Sequence, residues 1–473
     1  MIPPSILPPL AAAETVIKST TSRCPQCHKA VPAEVLRRGH GHGQIHLRRR
    51  CPEHGEASAC IASDARFYWV SRGARDISDP GPGSGNGCGC SDGACRASDG
   101  APAGTLGRNA FPSPGADCEK LSTCLCLIEV VNSCNLACPT CYADSPVGTG
   151  TRIDAPPLED LQSRIQSVID RKGKIEILQL SGGEPTLHPR FFELLAWTMD
   201  HPGIEYVLLN TNGLRIAHEP AFAARLGEVA KRGKFQLYLQ FDGPGEAGQR
   251  ELRGSDLREA REQCLRACAG LKIGVTLAMT VTEANLDQLW ASIEFGLAWA
   301  NVRGLSFQPR FLSGRVGTSA PSARPSLNVA DIVLGAVAQS GGRLRFDDFT
   351  PLPCGDPNCA TIGYLLKVGG EVRSISDFVD FTQVQGFLRD RVRYQLSDLS
   401  RCGCESEPLG ALLKQFELDE THTFRLFIKP FMDAWSWDDD RIDRCCTHVI
   451  RPDGRLDSFC RYYATRAATG FVA

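Results

Sequence analysis

Three cysteines share one short loop, Cys134-Asn-Leu-Ala-Cys138-Pro-Thr-Cys141-Tyr142. Thiolates at such close intervals can wrap one iron–sulfur cubane. Three protein ligands leave one iron open, and an open coordination position separates a reactive metal centre from a closed structural one. A second group, Ser181-Gly182-Gly183-Glu184-Pro185, offers two glycines that let backbone approach a ligand closely and a carboxylate that can grip an amino group. Asn210-Thr211-Asn212-Gly213 and Gln240-Phe241-Asp242-Gly243 set Asn212 and Asp242 where ribose or carboxylate contacts would form, although Asn-Gly and Asp-Gly are also ordinary turn formers.

The remaining thiols sort by spacing. Cys24-Pro-Gln-Cys27 with Cys51-Pro-Glu-His54 has the ligand set of a rubredoxin-like or zinc-ribbon knuckle holding one zinc or iron ion, and Cys60 competes with His54 for the fourth position. Cys88, Cys90, Cys95 and Cys118 form one candidate auxiliary iron–sulfur site, with Cys124 and Cys126 close behind it. Cys354, Cys359, Cys446 and Cys460 form another, which leaves Cys402, Cys404 and Cys445 unassigned. Cys264 and Cys268, four apart on a helix, read as core packing. His40, His42 and His46 beside Arg48, Arg49 and Arg50 read as a solvated surface.

Short apolar runs alternating with amphipathic helical patterns must carry these loops. Strands are expected at Leu125–Val131, Ile175–Leu180, Tyr206–Asn210, Phe235–Phe241, Ile273–Met279 and Leu305–Gln308. Helices are expected from Leu158, after Pro156 and Pro157, around Phe192–Met199, over Asp256–Ala269 and over Val329–Val337. Such alternation implies parallel strands with helical crossovers, either a doubly wound sheet or part of a barrel, and in both ligands sit at the strands' carboxyl ends, where the cysteine loop and the Gly-Gly-Glu turn fall. Four regions follow: a metal knuckle (1–78), a Gly/Pro/Cys-rich linker (79–121), the strand–helix repeat (122–325) and a cysteine-rich α+β extension (326–473). The chain has 473 residues and 22 cysteines, with 52 basic and 54 acidic side chains. That balance argues against a general nucleic-acid binder. No apolar run approaches a membrane span, which leaves peripheral membrane contact as the only membrane contact expected. Met1 to Ala13 lacks the basic and unbroken apolar parts of a secretory signal, so a cytoplasmic protein is expected, with thiols that hold metal instead of pairing as disulfides.

Cys134, Cys138, Cys141 and Tyr142 together with Gly182-Gly183-Glu184 resemble the radical S-adenosylmethionine superfamily. The resemblance covers about Leu125 to Pro309. It implies a partial (β/α)6 TIM-like barrel with a [4Fe–4S] cluster at its mouth, whose open iron chelates S-adenosylmethionine. One-electron reduction then yields a 5′-deoxyadenosyl radical that abstracts hydrogen from an unactivated carbon. Gly182, Gly183 and Glu184 would hold the methionine amino group, and Tyr142 would lie near the adenine. The knuckle, the cysteine-rich loop and the tail with Cys354, Cys359, Cys445-Cys446 and Cys460 further resemble the tetraether-lipid-synthase-like branch, which includes methyltransferases acting on the archaeal pterin cofactor. That branch implies auxiliary iron–sulfur clusters and C–C bond formation or methylation on a lipid or other small molecule, with a ferredoxin or flavodoxin as electron donor. The sequence departs from it at Cys88–Cys95, which is looser than the branch's compact triplet. A peptide maturase and a non-catalytic iron–sulfur electron carrier are the competing readings, and an electron carrier has no use for Gly183 and Glu184.

Overall fold

The computed structural model describes residues 14–69, 119, 121–316, 327–352, 355–368, 370–377 and 422–469. The expected ligands Cys88, Cys90, Cys95, Cys118 and Cys354, with the unassigned Cys402 and Cys404, lie outside the described residues.

Four strands open the described chain: β1 (Glu14–Arg23), β2 (Ala30–Arg38), β3 (Gln44–Cys51) and β4 (Gly55–Ala62). They pair consecutively as an antiparallel meander. Val35, Leu36, Ile45 and Leu47 are its fully buried centre. Both tight turns at one end, β1 to β2 and β3 to β4, carry the knuckle's ligands, so an antiparallel register alone brings Cys24 and Cys27 to Cys51 and His54.

The next elements repeat a strand-then-helix unit. They are β5 (Leu125–Val131), the short β6 (Thr140–Cys141), α1 (Leu158–Lys172), β7 (Leu178–Gly182), α2 (Phe191–Asp200), β8 (Val207–Thr211), α3 (Leu214–His218), α4 (Pro220–Ala230), β9 (Phe235–Gln240), α5 (Gln249–Arg253), α6 (Arg258–Gly270), β10 (Gly274–Val281), α7 (Leu289–Leu297) and β11 (Val302–Pro309). Helix α1 buries Leu158, Leu161, Ile165, Val168 and Ile169, the single face that its 3.6-residue spacing predicts. It starts with Glu159 and Asp160 in the first turn and stops at Gly173, whose φ of 91° lies in the left-handed region. The strands alternate: Phe235, Leu237 and Leu239 of β9 join the core cluster shared with the helices, and Gln236, Tyr238 and Gln240 line the barrel interior. Strand β5 keeps the expected bounds. The second strand begins later than expected, because Ile175 makes only an isolated bridge to Ile204.

After β12 (Arg315–Val316) and α8 (Val329–Gln339) come β13 (Thr350–Pro351), β14 (Thr361–Val368), β15 (Glu371–Ser374), β16 (Thr423–Ile428), α9 (Asp439–Asp443), β17 (Thr447–Ile450), β18 (Leu456–Ser458) and α10 (Phe459–Thr469). These do not form a separate layer. Strand β16 adds parallel to β11, and β17 adds parallel to β5 at the opposite edge. The described parallel strands therefore run in the order β17-β5-β7-β8-β9-β10-β11-β16, bordered by antiparallel β18 and β14. The architecture is a partial TIM-like barrel whose two edges are both extended from the last third of the chain. The edges do not pair through backbone among the described residues. Across the seam, Lys429, just past β16, reaches the Thr447 hydroxyl of β17 at 3.2 Å.

The meander docks on the segment between β16 and β17. Arg49, 1% exposed, donates to Ser22 Oγ at 3.1 Å and to the carbonyls of Ala434 at 2.9 Å and Trp435 at 2.7 Å. Lys18 pairs with Asp438 at 2.7 Å, and Arg23 lies over Trp437. Ser63 donates from its backbone and hydroxyl to Asn328 and Asp331, the two residues of the capping box that starts α8.

Candidate active site

At the carboxyl end of β5 the chain turns into the cysteine loop, which is braced throughout. Cys134 N–H donates to the Pro146 carbonyl at 2.9 Å, and Gly148 N–H donates to the Cys134 carbonyl at 3.0 Å. Arg315 of β12, paired with Cys141 across β6, donates to the carbonyls of Cys138 at 2.9 Å and Ser145 at 3.1 Å. Cys134, Cys138 and Cys141 line one cavity of about 310 Å³ inside the barrel mouth, together with Tyr142, Gly182, Gly183, Glu184 and Asn212. Burial pushes the Cys134 thiol up to about 12, so a bound metal is needed to keep it a thiolate. Three thiols from one loop, facing a cavity with room beside them, fit a cubane with an open iron.

The Gly-Gly-Glu turn does something the sequence does not announce. A Cβ on Gly183 would lie 2.0 Å from the Ser133 carbonyl oxygen, and one on Gly182, at φ 120°, would lie 2.3 Å from that of Val131. The glycines thus let the end of β7 press against the strand leading into the cysteine loop. Glu184, 1% exposed, accepts from the Thr186 and Thr211 hydroxyls at 2.7 Å each, from Thr186 N–H at 3.2 Å and from Asn212 N–H at 2.8 Å. Burial raises its pKa, against the pull of these donors. Asn212 in turn donates to the Asn135 side chain at 2.7 Å, inside the cysteine loop.

Asp242 corrects one expectation. It is fully buried, is not among the cavity-lining residues, and sits at φ 66° with its carboxylate already engaged. Arg253 of α5 donates to both of its oxygens at 2.6 and 2.8 Å, and Thr280 N–H donates at 3.0 Å. The cavity receives Arg253 instead, with its guanidinium next to Cys138. Sequence spacing gives no signal for Arg253, which the fold brings to the site from a helix of five residues.

Tyr142 packs edge-on against Tyr463 at 4.8 Å and near Phe459 at 5.5 Å between ring centroids, both on α10. Beneath them Glu129 of β5 accepts from the Tyr462 and Tyr463 hydroxyls at 2.7 and 3.0 Å. These contacts fix α10 against the first barrel strand.

In the meander, the ligand atoms of Cys24, Cys27, Cys51 and His54 all lie within 4.8 Å of one another, as one tetrahedral ion requires. His54 Nδ1 is 3.7 Å from Cys24 Sγ and 3.5 Å from Cys51 Sγ. Cys60 stands outside this group, its thiol pushed up to about 11 by burial. At the seam, Cys359, Cys445, Cys446 and Cys460 are all buried, and their charges would act on Lys429. A Cβ on Gly355 would lie 3.0 Å from Cys446 Sγ. Four buried thiols from three chain segments suit a cluster, which holds its thiolates farther apart than a single ion does. Cys264 and Cys268 are fully buried in the core, as expected.

Comparison with known proteins bears on the whole chain. The family model of the Radical SAM superfamily matches residues 128–296, and that of the HMPTM N-terminal zinc ribbon domain matches residues 16–63. A 7,8-dihydro-6-hydroxymethylpterin dimethyltransferase of Methanocaldococcus jannaschii is 26% identical, over 94% of this chain and 93% of its own length. The mycofactocin maturase MftC of Mycobacterium tuberculosis is 30% identical over 35% of this chain and 40% of its own. Among solved structures, SuiB of Streptococcus suis aligns over 46% of this chain and 47% of its own, with 16% identity and a TM-score of 0.37. No helix among the described residues is long and apolar enough to cross a membrane. The barrel thus carries a radical SAM domain, with a zinc ribbon domain ahead of it.

Proposed function

We propose that this enzyme methylates carbon on a pterin. Cys134, Cys138 and Cys141 would hold the [4Fe–4S] cluster, with S-adenosylmethionine on its open iron. Reduced, this pair supplies a radical able to take hydrogen from an unactivated carbon. The chain's own residues bind and orient. Arg253, held flat by Asp242, would meet the methionine carboxylate, and Gly182, Gly183, Glu184 and Asn212 shape the place of its amino end. The apolar walls keep water from the reacting atoms.

The observation that carries the substrate reading is a set of polar side chains inside an otherwise apolar barrel. Gln179, Tyr238, Gln240 and Gln308 face the cavity from β7, β9 and β11. Gln308 donates to the Tyr238 hydroxyl at 2.7 Å and Arg261 donates to Gln240 Oε1 at 2.7 Å, and the donors and acceptors these pairs leave over can hydrogen-bond to a flat ring rich in nitrogen and oxygen, which a lipid chain would not use. The end-to-end similarity to the M. jannaschii pterin dimethyltransferase points the same way. Likeness to peptide maturases is confined to about a third of the chain and supports shared radical chemistry, not a shared substrate. Cys359, Cys446 and Cys460, with Cys354 or Cys445, would hold an auxiliary cluster, and Cys88, Cys90, Cys95 and Cys118 are candidates for another. The test is anaerobic incubation of reconstituted enzyme with reductant, S-adenosylmethionine and 7,8-dihydro-6-hydroxymethylpterin. Mass spectrometry should find one or two added methyl groups together with 5′-deoxyadenosine. Release of 5′-deoxyadenosine without a methylated pterin would refute the substrate, and a methylated lipid or an altered peptide in parallel incubations would replace it.

A further inference from the structure

Lys429 follows β16 at the seam of the barrel and is 8% exposed. Its N–H donates to the Phe307 carbonyl at 2.9 Å, which fixes the residue's place. Its ammonium reaches Thr447 Oγ1 at 3.2 Å and lies 5.9 Å from the centre of the Phe431 ring. Among the described residues no carboxylate pairs with it. A buried ammonium without a counter-charge costs several kcal/mol, so Lys429 keeps its charge only with an anion beside it.

The surroundings identify that anion. Thr447, its hydrogen-bond partner, directly follows Cys445 and Cys446. Cys460 Sγ accepts from the N–H of Met432, three residues beyond Lys429, at 3.3 Å. The β14–β16 register sets Thr361 opposite Ile428, so Cys359 approaches from the other side. Arg441, held by the Asn358 carbonyl and Asp356, donates to Cys359 Sγ at 3.7 Å. Cys359, Cys445, Cys446 and Cys460 are all buried. As metal-bound thiolates they become the missing counter-charge.

We infer that Lys429 is a positioning residue for the auxiliary cluster: together with Arg441 at Cys359, it is a fixed cation that balances the thiolates of Cys359, Cys446 and Cys460 across the barrel seam and raises that cluster's reduction potential. The inference rests on the auxiliary-cluster reading above and adds to it a function for a residue that no ligand pattern marks. A cation beside the cluster favours its reduced, more negative state. The same ammonium borders the cavity, so the cluster's charge state is felt where the substrate lies.

The test uses full-length, anaerobically reconstituted chain carrying Cys134→Ala, Cys138→Ala and Cys141→Ala, so that only auxiliary iron is read. The electron paramagnetic resonance signal that disappears in Cys446→Ala/Cys460→Ala is titrated in the presence of Lys429, Lys429→Met and Lys429→Arg. Lys429→Met should keep the iron and sulfide and shift the reduction equilibrium at least tenfold toward the oxidised state, a fall of about 59 mV for a one-electron couple. Lys429→Arg should restore most of the shift. Loss of the cluster from Lys429→Met with retention in Lys429→Arg supports the inference equally. An unshifted midpoint, or loss from both variants, overturns it. Absence of any iron from the starting background would overturn the cluster reading itself, and the inference with it.

Discussion

Replacing Asp242 with Asn tests whether a residue outside the cavity governs binding inside it. The carboxylate is fully buried and serves two buried guanidinia, Arg253 through two hydrogen bonds and Arg261 at 3.8 Å. The amide that replaces it offers one acceptor and turns an N–H toward a guanidinium N–H, so the bidentate clamp is lost and both cations stay buried. Removing one partner of such a pair costs about 3–5 kcal/mol, a factor of between about 10² and 10⁴ in the local equilibrium. Arg253 then no longer holds its position beside Cys138, and S-adenosylmethionine should lose a charged hydrogen bond of about 1.5–3 kcal/mol, which weakens binding by roughly 10- to 150-fold. The assays are equilibrium binding of S-adenosylmethionine to reconstituted protein and urea unfolding. The pH dependence has a definite sign. Burial pushes the Asp242 carboxyl up, but the Arg253 guanidinium, its hydrogen bonds, Arg261 and the Thr280 N–H more than reverse this and hold it below the usual aspartate range. The unfolded chain therefore takes up this proton first, so the stabilisation is complete above about pH 4 and fades as pH falls toward the folded-state value. The difference in stability between wild type and Asp242→Asn should be flat from pH 6 to 8 and shrink only in acid. Affinity and stability both within twofold of wild type would refute the reasoning.

Two further outcomes are expected. Gly183→Ala drives a methyl group into the Ser133 and Asn132 carbonyls, so the cysteine loop must shift; iron per chain should fall by about four with ribbon zinc unchanged, and full iron content would contradict the close-approach account. Arg49→Met leaves the buried carbonyls of Ala434 and Trp435 without their donor at about 1–3 kcal/mol each, so amide exchange over 434–440 should rise by at least about thirtyfold while α1 stays protected, and unchanged exchange would show that the ribbon docks by other contacts.

Periodicity made the barrel legible wherever a strand has one face toward helices. Leu125–Val131 could be bounded because its apolar run ends at a polar Asn-Ser step, and the Leu158–Ile169 stripe could be read as a helix because its spacing never breaks. The cysteine loop was legible because cluster ligands must be close in sequence when one loop supplies them. What stayed hidden was whatever the fold assembles from distant segments. Thr423–Ile428 alternates like a strand, yet nothing local says that it extends the barrel from one edge while Thr447–Ile450 extends it from the other. Asp242 reads as a ligand residue in the sequence because it ends a strand beside a glycine, and only the arrival of Arg253 from α5 turns it into a clamp. The tie between His54 and Cys60 is broken by register: turn residues converge at one end of the meander, and Cys60 pairs along β4 opposite His46.

The way the barrel is bordered bears on how the protein is made. Strand β5 emerges from the ribosome early, but its outer neighbour β17 is among the last segments synthesised. Through most of translation the nascent sheet therefore carries an unpaired edge, the feature that invites association with other chains. Pairings of such long sequence separation also form slowly. The thiols of the seam are complete only at the same point, since Cys445, Cys446 and Cys460 arrive with β17 and α10. A ribosome that stalls before them leaves a ribbon and a sheet without β17 or the thiols of the seam, a species that a cell must shield or destroy.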